Sequence, residues 1–314
     1  MQKVTVNSLK FLGLIAVLVV VAVGCGGGGT SGNVDLSDAN ITVGSKEFTE
    51  QLILGQITIQ VLENAGATVE DQTRLAGSVA ARKALTSGQI DTYWEYTGTG
   101  WITYLGHTKP IDSSQKQYEA VAKEDLKKNG IEWLPPAPAN NTYALAVRSE
   151  VQDKLGVTKL SDLKQLVKEE PDQATVCAAS EFLSRDDGLP GMEKAYGFEF
   201  PKENISELAA GPIYQAVDQG DKCNFGEVFA TDGRIANLDL KVLEDDKNFF
   251  PIYNPSLNVN EKLMDEYPQI KKIFAPVSKK LTTEELQKLN SKVDVQGQLE
   301  DQVAEEWLKQ NGFI

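Results

Sequence analysis

Histidine and positive charge are both scarce in this sequence of 314 residues. The chain contains one histidine, His107, so a metal site built from several histidines has too few residues to form, and a histidine base for a nucleophile would have to be His107. Lysine and arginine number 31 against 45 acidic residues, and the formal net charge is −14. A nucleic-acid partner requires a basic face, so this balance argues against one.

Sequence signatures of catalysis are also missing. We recognise no glycine-rich phosphate loop of the nucleotide-binding type, no metal-ligand cluster and no paired nucleophile and base. We therefore expect neither a cofactor nor a metal, and we do not expect an enzyme. With 41% hydrophobic and 24% charged residues, the chain has the composition of an ordinary globular protein with a buried core. Its length suggests about two compact units.

One uninterrupted apolar run opens the chain, from residue 11 to residue 23. This length fits the hydrophobic region of a signal peptide and is short for a membrane-spanning helix. Gly24 and Cys25 follow, and a small residue before a cysteine resembles the lipobox of bacterial lipoproteins, although Ala22 stands where leucine is most usual. We predict a signal peptide over residues 1–24 and a lipid on Cys25. An ordinary secretory signal with an incidental cysteine is the alternative.

The segment after Cys25 is rich in glycine and serine, a composition that behaves as a flexible coil. Residues 25–40 are therefore predicted to tether a globular domain to a membrane surface. Two further cysteines, Cys177 and Cys223, would lie in an oxidising compartment once the chain is exported, which favours a disulfide between them. Closing a loop of this length would contribute about 4 kcal/mol on the chain-entropy model.

Short strand patterns and amphipathic helix patterns alternate along the rest of the chain. This alternation predicts an α/β protein with a largely parallel sheet. The alternation of strands and helices occurs in two successive parts of the chain, and a final helical segment is expected to pack on the first part. We therefore predict two lobes, formed by residues 41–142 plus 255–314 and by residues 143–254, with a ligand cleft between them.

Four segments combine aromatic, hydroxyl and charged residues at the predicted ends of strands. They are residues 44–51 (GSKEFTEQ), 93–100 (YWEYTGTG), 140–147 (NNTYALAV) and 182–190 (FLSRDDGLP). The first segment opens a helix, where free backbone N–H groups and the charge of Lys46 suit a carboxylate. The fourth segment places Arg185 at the centre of a loop.

These four segments, in this order, resemble the glycine betaine/choline-binding proteins of ABC importers. The similarity extends over about residues 41–314, and several motifs in register are more specific than any one of them. The resemblance implies a two-lobed type II periplasmic-binding-protein fold of the α/β class. It also implies a ligand held in the cleft between the lobes.

The resemblance further implies a set of binding residues, carried over motif by motif. Aromatic rings in this family surround the trimethylammonium group, and a few polar residues bind the ligand carboxylate. The matching aromatic positions are Tyr96, Tyr143, Tyr214 and Phe229, and the matching carboxylate-binding positions are Lys46, Thr99 and Arg185. Some relatives carry tyrosine where this chain has Phe229, which keeps the aromatic face and loses the hydroxyl. A quaternary ammonium donates no N–H hydrogen bond, whereas aromatic faces attract it by roughly 0.5–2 kcal/mol each.

The resemblance predicts a binding protein outside the cytoplasm, anchored by lipid to the outer face of the cell membrane. Its expected partners are a small quaternary-ammonium ligand and an ABC permease with a separate ATPase subunit, and the protein is expected to be a monomer.

Three alternatives stay open. Lys46 and Arg185 would also suit the carboxylate of a polar amino acid, although no motif offers an acidic group for its ammonium. A two-lobed α/β architecture also occurs in transferases and hydrolases. Taken singly, Tyr96 is an ordinary core aromatic and Arg185 forms a local ion pair with Asp186 or Asp187.

Overall fold

The computed structural model describes Met1, residues 35–111 and residues 113–314. The predicted signal peptide, the predicted lipidation site Cys25 and the first part of the predicted tether lie outside the described residues. Leu36 and Ala39, which the sequence assigns to the tether, are buried against a hydrophobic core. The Leu36 amide donates to the Ala65 carbonyl, so the packed fold begins before residue 40.

Ten strands occur in the described ranges, and they form two separate sheets. In chain order the strands are β1 Asn40–Lys46, β2 Thr68–Leu75, β3 Thr92–Tyr96, β4 Ile131–Trp133, β5 Tyr143–Arg148, β6 Val176–Ala178, β7 Ile205–Glu207, β8 Phe225–Phe229, β9 Leu240–Val242 and β10 Pro255–Asn260.

Helices surround both sheets. In chain order they are α1 Thr49–Asn64, α2 Gly77–Thr86, α3 Thr97–Thr99, α4 Ser114–Asn129, α5 Ser149–Leu155, α6 Leu163–Glu169, α7 Ser180–Ser184, α8 Leu189–Tyr196, α9 Ala210–Gln219, α10 Arg234–Asn237, α11 Glu261–Glu266, α12 Ile270–Lys280, α13 Thr283–Asp294 and α14 Glu300–Asn311. A π-helical segment, Gly100–Tyr104, continues α3, and 3₁₀ turns span Leu160–Asp162, Pro171–Gln173 and Lys202–Asn204.

The two sheets repeat one pattern of strand directions. The first has the order β2-β1-β3-β10-β4 and the second β7-β6-β8-β5-β9. In each sheet four of the five strands run in the same direction, and one strand is antiparallel to its neighbours: β10 in the first sheet and β5 in the second. The α/β class predicted from the sequence is confirmed, and each sheet is largely parallel in strand direction, with the crossing strand entering in the opposite direction.

We call the first sheet and its covering helices lobe 1, and the second sheet and its helices lobe 2. Lobe 1 has a hydrophobic core on each face of its sheet, one around Trp94, Phe274 and Trp307 and the other around Tyr93 and Trp133. The core on the second face is smaller, and α2 and α4 cover it. Helices α13 and α14 pack against α1, so the last part of the chain covers lobe 1.

Lobe 2 also has a core on each face of its sheet. Cys177 in β6 and Cys223 just before β8 form a disulfide, as the sequence predicts. Side-chain hydrogen bonds hold the turn that precedes α6. The Ser161 hydroxyl donates to Asp246 of a neighbouring loop, and the Asp162 carboxylate accepts the amide N–H groups that precede the turn.

Helix α1 shows how local sequence sets the elements that reach the site. Its apolar residues run around most of the helix, and it is buried both by the sheet and by the final helices. The helix ends before Gly66, which has a φ of +99°. Glycine adopts this conformation without a steric cost, so the chain can turn there directly into β2. Among the described residues, no helix combines the length and the apolar character needed to cross a membrane.

Candidate functional site

A cavity of about 870 Å³ lies between the two lobes. Lobe 1 contributes Lys46 and Tyr96 to its wall, and lobe 2 contributes Tyr143 and Phe229. These residues stand where strands β1, β3 and β8 end and where β5 begins. Clefts of this size that are lined by aromatic side chains and a few polar groups are typical binding sites for small molecules.

Tyr143 and Phe229 are brought together by strand pairing. Strands β5 and β8 are antiparallel, and these two residues are directly opposite each other at the cleft end of the pair. Their ring centroids are 5.3 Å apart. Residues 86 positions apart in the chain thus form one aromatic surface because the register of the sheet fixes them as neighbours.

Phe48 extends this aromatic surface across the cleft to lobe 1. Its ring is stacked on Phe229 with centroids 5.2 Å apart and lies 6.3 Å from the ring of Tyr96. Tyr253 adds a further ring, 5.4 Å from Tyr143 and edge-on to it. Neither Phe48 nor Tyr253 was predicted as a site residue. Phe48 lies inside the first quoted motif, and its position between a strand end and a helix start was the available signal.

Tyr214 lies behind the aromatic surface. Its ring is 1% exposed in the core of lobe 2, and its hydroxyl accepts the Phe229 amide N–H at 3.0 Å. The Arg234 guanidinium stacks on the ring at 4.0 Å. In this structure Tyr214 therefore orients Phe229 and Arg234, and its predicted direct contact with a ligand stays a prediction.

Lys46 is paired with groups of the chain itself. Its ammonium donates to Glu95 Oε1 at 2.7 Å and to the Ser78 hydroxyl at 3.0 Å, and it lies 4.9 Å from the centroid of the Tyr96 ring. Both members of the ion pair are almost fully buried. A buried pair of this kind holds a charge in place at the cavity wall, and its net contribution to stability is small because desolvation opposes attraction.

Arg185 is also paired. Its guanidinium forms two hydrogen bonds with the Asp187 carboxylate, at 2.7 and 2.6 Å, and one with Glu181 at 2.7 Å. The local ion pair that the sequence allowed as an alternative is therefore present. Arg185 is 8% exposed and also donates to the Thr99 hydroxyl of lobe 1 at 3.4 Å. The structure thus brings two of the predicted carboxylate-binding residues together across the cleft.

Acidic groups outnumber basic groups on the cavity wall. Two cationic side chains, Lys46 and Arg234, line the cavity, and the Arg234 guanidinium is bound to Asp232 and approaches Asp294. The carboxyl groups that line it are Glu47, Glu50, Glu181, Glu227, Asp232 and Asp294. A wall with this surplus attracts a cationic group.

Glu50 connects the aromatic surface to other elements of lobe 1. It is 2% exposed, and its carboxyl oxygens accept from the Tyr96 hydroxyl at 2.8 Å, from Asn141 at 2.9 Å and from Asn290 at 3.1 Å. Burial raises the pKa of Glu50, and these hydrogen bonds oppose that rise. The network fixes the orientation of the Tyr96 ring. Glu50 and Asn290 are far apart in the chain, and no sequence pattern predicted their contact.

Two further carboxyl groups in the cleft titrate far from their ordinary range. Burial raises the pKa of Glu227 to about 8, although the carboxyl accepts the Ala179 amide N–H at 2.7 Å. Burial acts in the same direction on Glu181, but the charges of Lys46 and Arg185 outweigh it and hold the pKa of Glu181 at about 2. Near neutral pH the cleft therefore contains one protonated and one ionised glutamate from lobe 2. Within the described residues no group of three or more histidine, cysteine, aspartate or glutamate side chains is arranged to hold a metal ion.

Comparison with known proteins identifies the family. Residues 39–310 match the model of the family described as the substrate-binding domain of ABC-type glycine betaine transport systems. The chain is 38% identical over 278 residues to the glycine betaine-binding protein YehZ of Escherichia coli, covering 87% of this chain and 91% of that protein. It is 37% identical over 279 residues to a glycine-betaine-binding protein of Pseudomonas aeruginosa, covering 87% and 88% of the two chains.

Comparison with solved structures supports the same family and fold. A crystal structure described as a glycine betaine/carnitine/choline ABC transporter superimposes with a TM-score of 0.69 at 28% identity, covering 87% of this chain and 98% of the other. The two-lobed type II periplasmic-binding-protein fold predicted from the sequence is therefore confirmed, as is the resemblance on which it was based. This chain belongs to the family of substrate-binding domains of ABC-type glycine betaine transport systems.

Proposed function

We propose that this protein binds a small quaternary-ammonium osmoprotectant, with glycine betaine as the first candidate, and delivers it to the permease of an ABC importer. The observation that carries the proposal is the continuous aromatic surface formed by Tyr96, Phe48, Phe229 and Tyr143 from both lobes. A trimethylammonium group cannot be satisfied by hydrogen-bond acceptors of the usual kind. Aromatic faces attract it by roughly 0.5–2 kcal/mol each, and the acidic wall adds to this attraction.

The remaining features of the proposal follow from this role. Residues 41–142 plus 255–314 and residues 143–254 act as the two lobes that close on the ligand. The protein works as a monomer that binds and releases its ligand without catalysing a reaction, and a separate subunit hydrolyses ATP. A signal peptide directs the chain out of the cytoplasm, and a lipid on Cys25 anchors it to the outer face of the membrane.

Choline and carnitine share the trimethylammonium group and are included in the proposed ligand class. A polar amino acid is the second candidate. The structure favours it in one respect, because the ionised Glu181 on the cavity wall offers the acidic group for an α-ammonium that the sequence motifs lacked. These candidates differ in whether the aromatic surface contributes to affinity.

Calorimetric titration of the full-length chain in mild detergent with glycine betaine, choline and proline tests the proposal. We expect saturable binding of a quaternary-ammonium ligand in the micromolar range, which corresponds to about −8 kcal/mol, and no binding of proline. Substitution Phe48→Ala should weaken quaternary-ammonium binding about twofold to thirtyfold because it removes one aromatic face.

The matched control for Phe48→Ala is Phe313→Ala. Phe313 is a partly buried ring that packs on Trp307 with centroids 5.6 Å apart and does not line the cavity. We expect this variant to bind with wild-type affinity. If the wild-type protein binds neither quaternary ligand and binds an amino acid, the proposal is wrong and the second candidate replaces it.

A further inference from the structure

Glu181 places a carboxylate of the protein itself among the cationic groups of the cleft. It belongs to α7 of lobe 2 and lines the cavity. One oxygen, Oε1, accepts from Arg185 Nη1 at 2.7 Å. The other, Oε2, accepts from the backbone N–H of Ser78 in lobe 1 at 3.3 Å. The charge of Lys46 also acts on this carboxylate.

The backbone of lobe 1 is shaped to admit this carboxylate. Helix α2 begins at Gly77, and its first turn offers free N–H groups and the positive end of the helix dipole. Gly77 has a φ of +73°, and a Cβ atom there would lie 3.1 Å from Glu181 Oε2. Glycine at this position therefore allows the left-handed backbone of the turn, and it leaves room for the Glu181 oxygen from the other lobe.

The charges around Glu181 do not balance. Lys46 is already paired with Glu95, and Arg185 is already paired with Asp187. Glu181 is therefore a third carboxyl group facing two cations. An additional carboxylate brought by a ligand would be the fourth, and like charges at close range in a partly buried site repel strongly.

We propose that Glu181 is a specificity-determining residue, whose carboxylate competes with the carboxylate of a zwitterionic ligand for Lys46, Arg185 and the first turn of α2. Glycine betaine and choline differ in this respect, because glycine betaine carries a carboxylate where choline carries a neutral hydroxymethyl group. Glu181 consequently weakens the binding of zwitterions, whereas the affinity for cationic ligands is unchanged or higher. This inference rests on the proposed function, since it presumes a quaternary-ammonium ligand.

The test compares glycine betaine and choline on the wild-type chain and on Glu181→Gln by calorimetric titration. The substitution keeps the size of the side chain and one acceptor oxygen, and it removes the charge. We expect glycine betaine to bind at least fivefold more tightly to the variant and choline to bind with equal or lower affinity. The ratio of the two dissociation constants should then shift at least fivefold towards glycine betaine.

Glu47→Gln is the matched control. Glu47 accepts the Gly77 amide N–H at 2.7 Å, so it lies at the same helix start, but it forms no ion pair with Lys46 or Arg185. We expect the ratio for this variant to stay within threefold of the wild-type value. An equal shift in both variants would mean that general electrostatics of the cleft decides the preference, and the assignment to Glu181 would be withdrawn.

The outcomes separate this inference from the proposed function. If the wild-type chain binds neither quaternary ligand, the proposed function fails first. If it binds and Glu181→Gln changes both affinities equally or weakens glycine betaine, the function stands and the inference is overturned. Glu181→Asp, which draws the carboxylate back by one methylene, should give a smaller shift of the same sign. Failure of both variants to fold would assign Glu181 a structural role and would also overturn the inference.

Discussion

Carboxyl groups of one chemical type carry different charges in this cleft because their surroundings differ. Glu227 is buried on β8 and receives one backbone N–H, so its neutral form is favoured. Glu181 stands on the rim beside Lys46 and Arg185, so its ionised form is favoured. Desolvation dominates in the first case and opposite charge in the second. The chemistry of the cleft is set at the scale of single residues and their neighbours.

The stability of the protein should therefore depend on pH through Glu227. Its pKa in the folded protein, about 8, lies above the ordinary glutamate value of 4.5, so the folded protein holds a proton that the unfolded chain releases. The protonated Glu227 therefore contributes to the free energy of unfolding in full below pH 4.5. This contribution is lost as the pH rises towards 8, by at most about 1.4 kcal/mol per pH unit. Unfolding by urea at a series of pH values measures this dependence.

Glu227→Gln should remove this part of the fall in unfolding free energy between pH 5 and 8. Glu207→Gln is the control, since Glu207 is an exposed glutamate on β7, the edge strand of the same sheet. It should leave the wild-type profile unchanged. A Glu227→Gln profile parallel to that of the wild type would show that Glu227 is ionised in the folded protein and that other groups cause the dependence.

Strand pairing and the disulfide act at the scale of elements. Strand β6 pairs in parallel with β8 and places Cys177 beside Gly226, while Cys223 stands just before β8. The disulfide therefore reinforces an existing pair of strands, and neither cysteine lines the cavity. It constrains the unfolded chain more than it shapes the binding site.

The double substitution Cys177→Ala with Cys223→Ala should lower the free energy of unfolding by about 4 kcal/mol, the chain-entropy value for a loop of this length. Alanine avoids placing unsatisfied hydroxyl groups at two positions that are 0% and 1% exposed. Guanidinium unfolding measures the loss. Glycine betaine affinity should stay within twofold of the wild-type value, and a much larger loss of affinity would place the disulfide in control of the cleft geometry.

At the scale of the whole molecule, the lobes are joined by polar contacts around the cavity. The Asn290 side chain in α13 donates to the Thr231 carbonyl of lobe 2 at 3.0 Å, and Arg234 lies 3.5 Å from Asp294. Water can replace polar contacts of this kind, so the relative position of the lobes can respond to a ligand. A ligand that touches both lobes favours the closed arrangement in proportion to the contacts made only there.

Small-angle X-ray scattering should therefore show a smaller radius of gyration when the protein is saturated with glycine betaine. Proline at the same concentration is the control and should leave the profile unchanged. Superimposable profiles with and without a ligand that calorimetry shows to be bound would contradict closure.

The sequence alone was sufficient for the fold class and the disulfide. It also placed the four segments that reach the cleft, because hydrophobic periodicity and strand-end motifs are local properties of the chain. Tyr96, Tyr143, Phe229 and Lys46 were predicted as site residues from the family resemblance, motif by motif, and all four line the cavity. The sequence did not reveal Phe48 as part of the aromatic surface, because its stacking on Phe229 depends on how the two lobes face each other.

What only the tertiary structure decided was the state of the charges. Lys46 and Arg185 were predicted to bind a ligand carboxylate, and in the structure they are already paired with Glu95 and with Asp187 and Glu181. Electrostatic interactions act through space and depend on burial, whereas the residues concerned are separated along the chain. A linear sequence therefore determined which elements meet at the cleft, and the packing of the lobes decided which charge each group carries there.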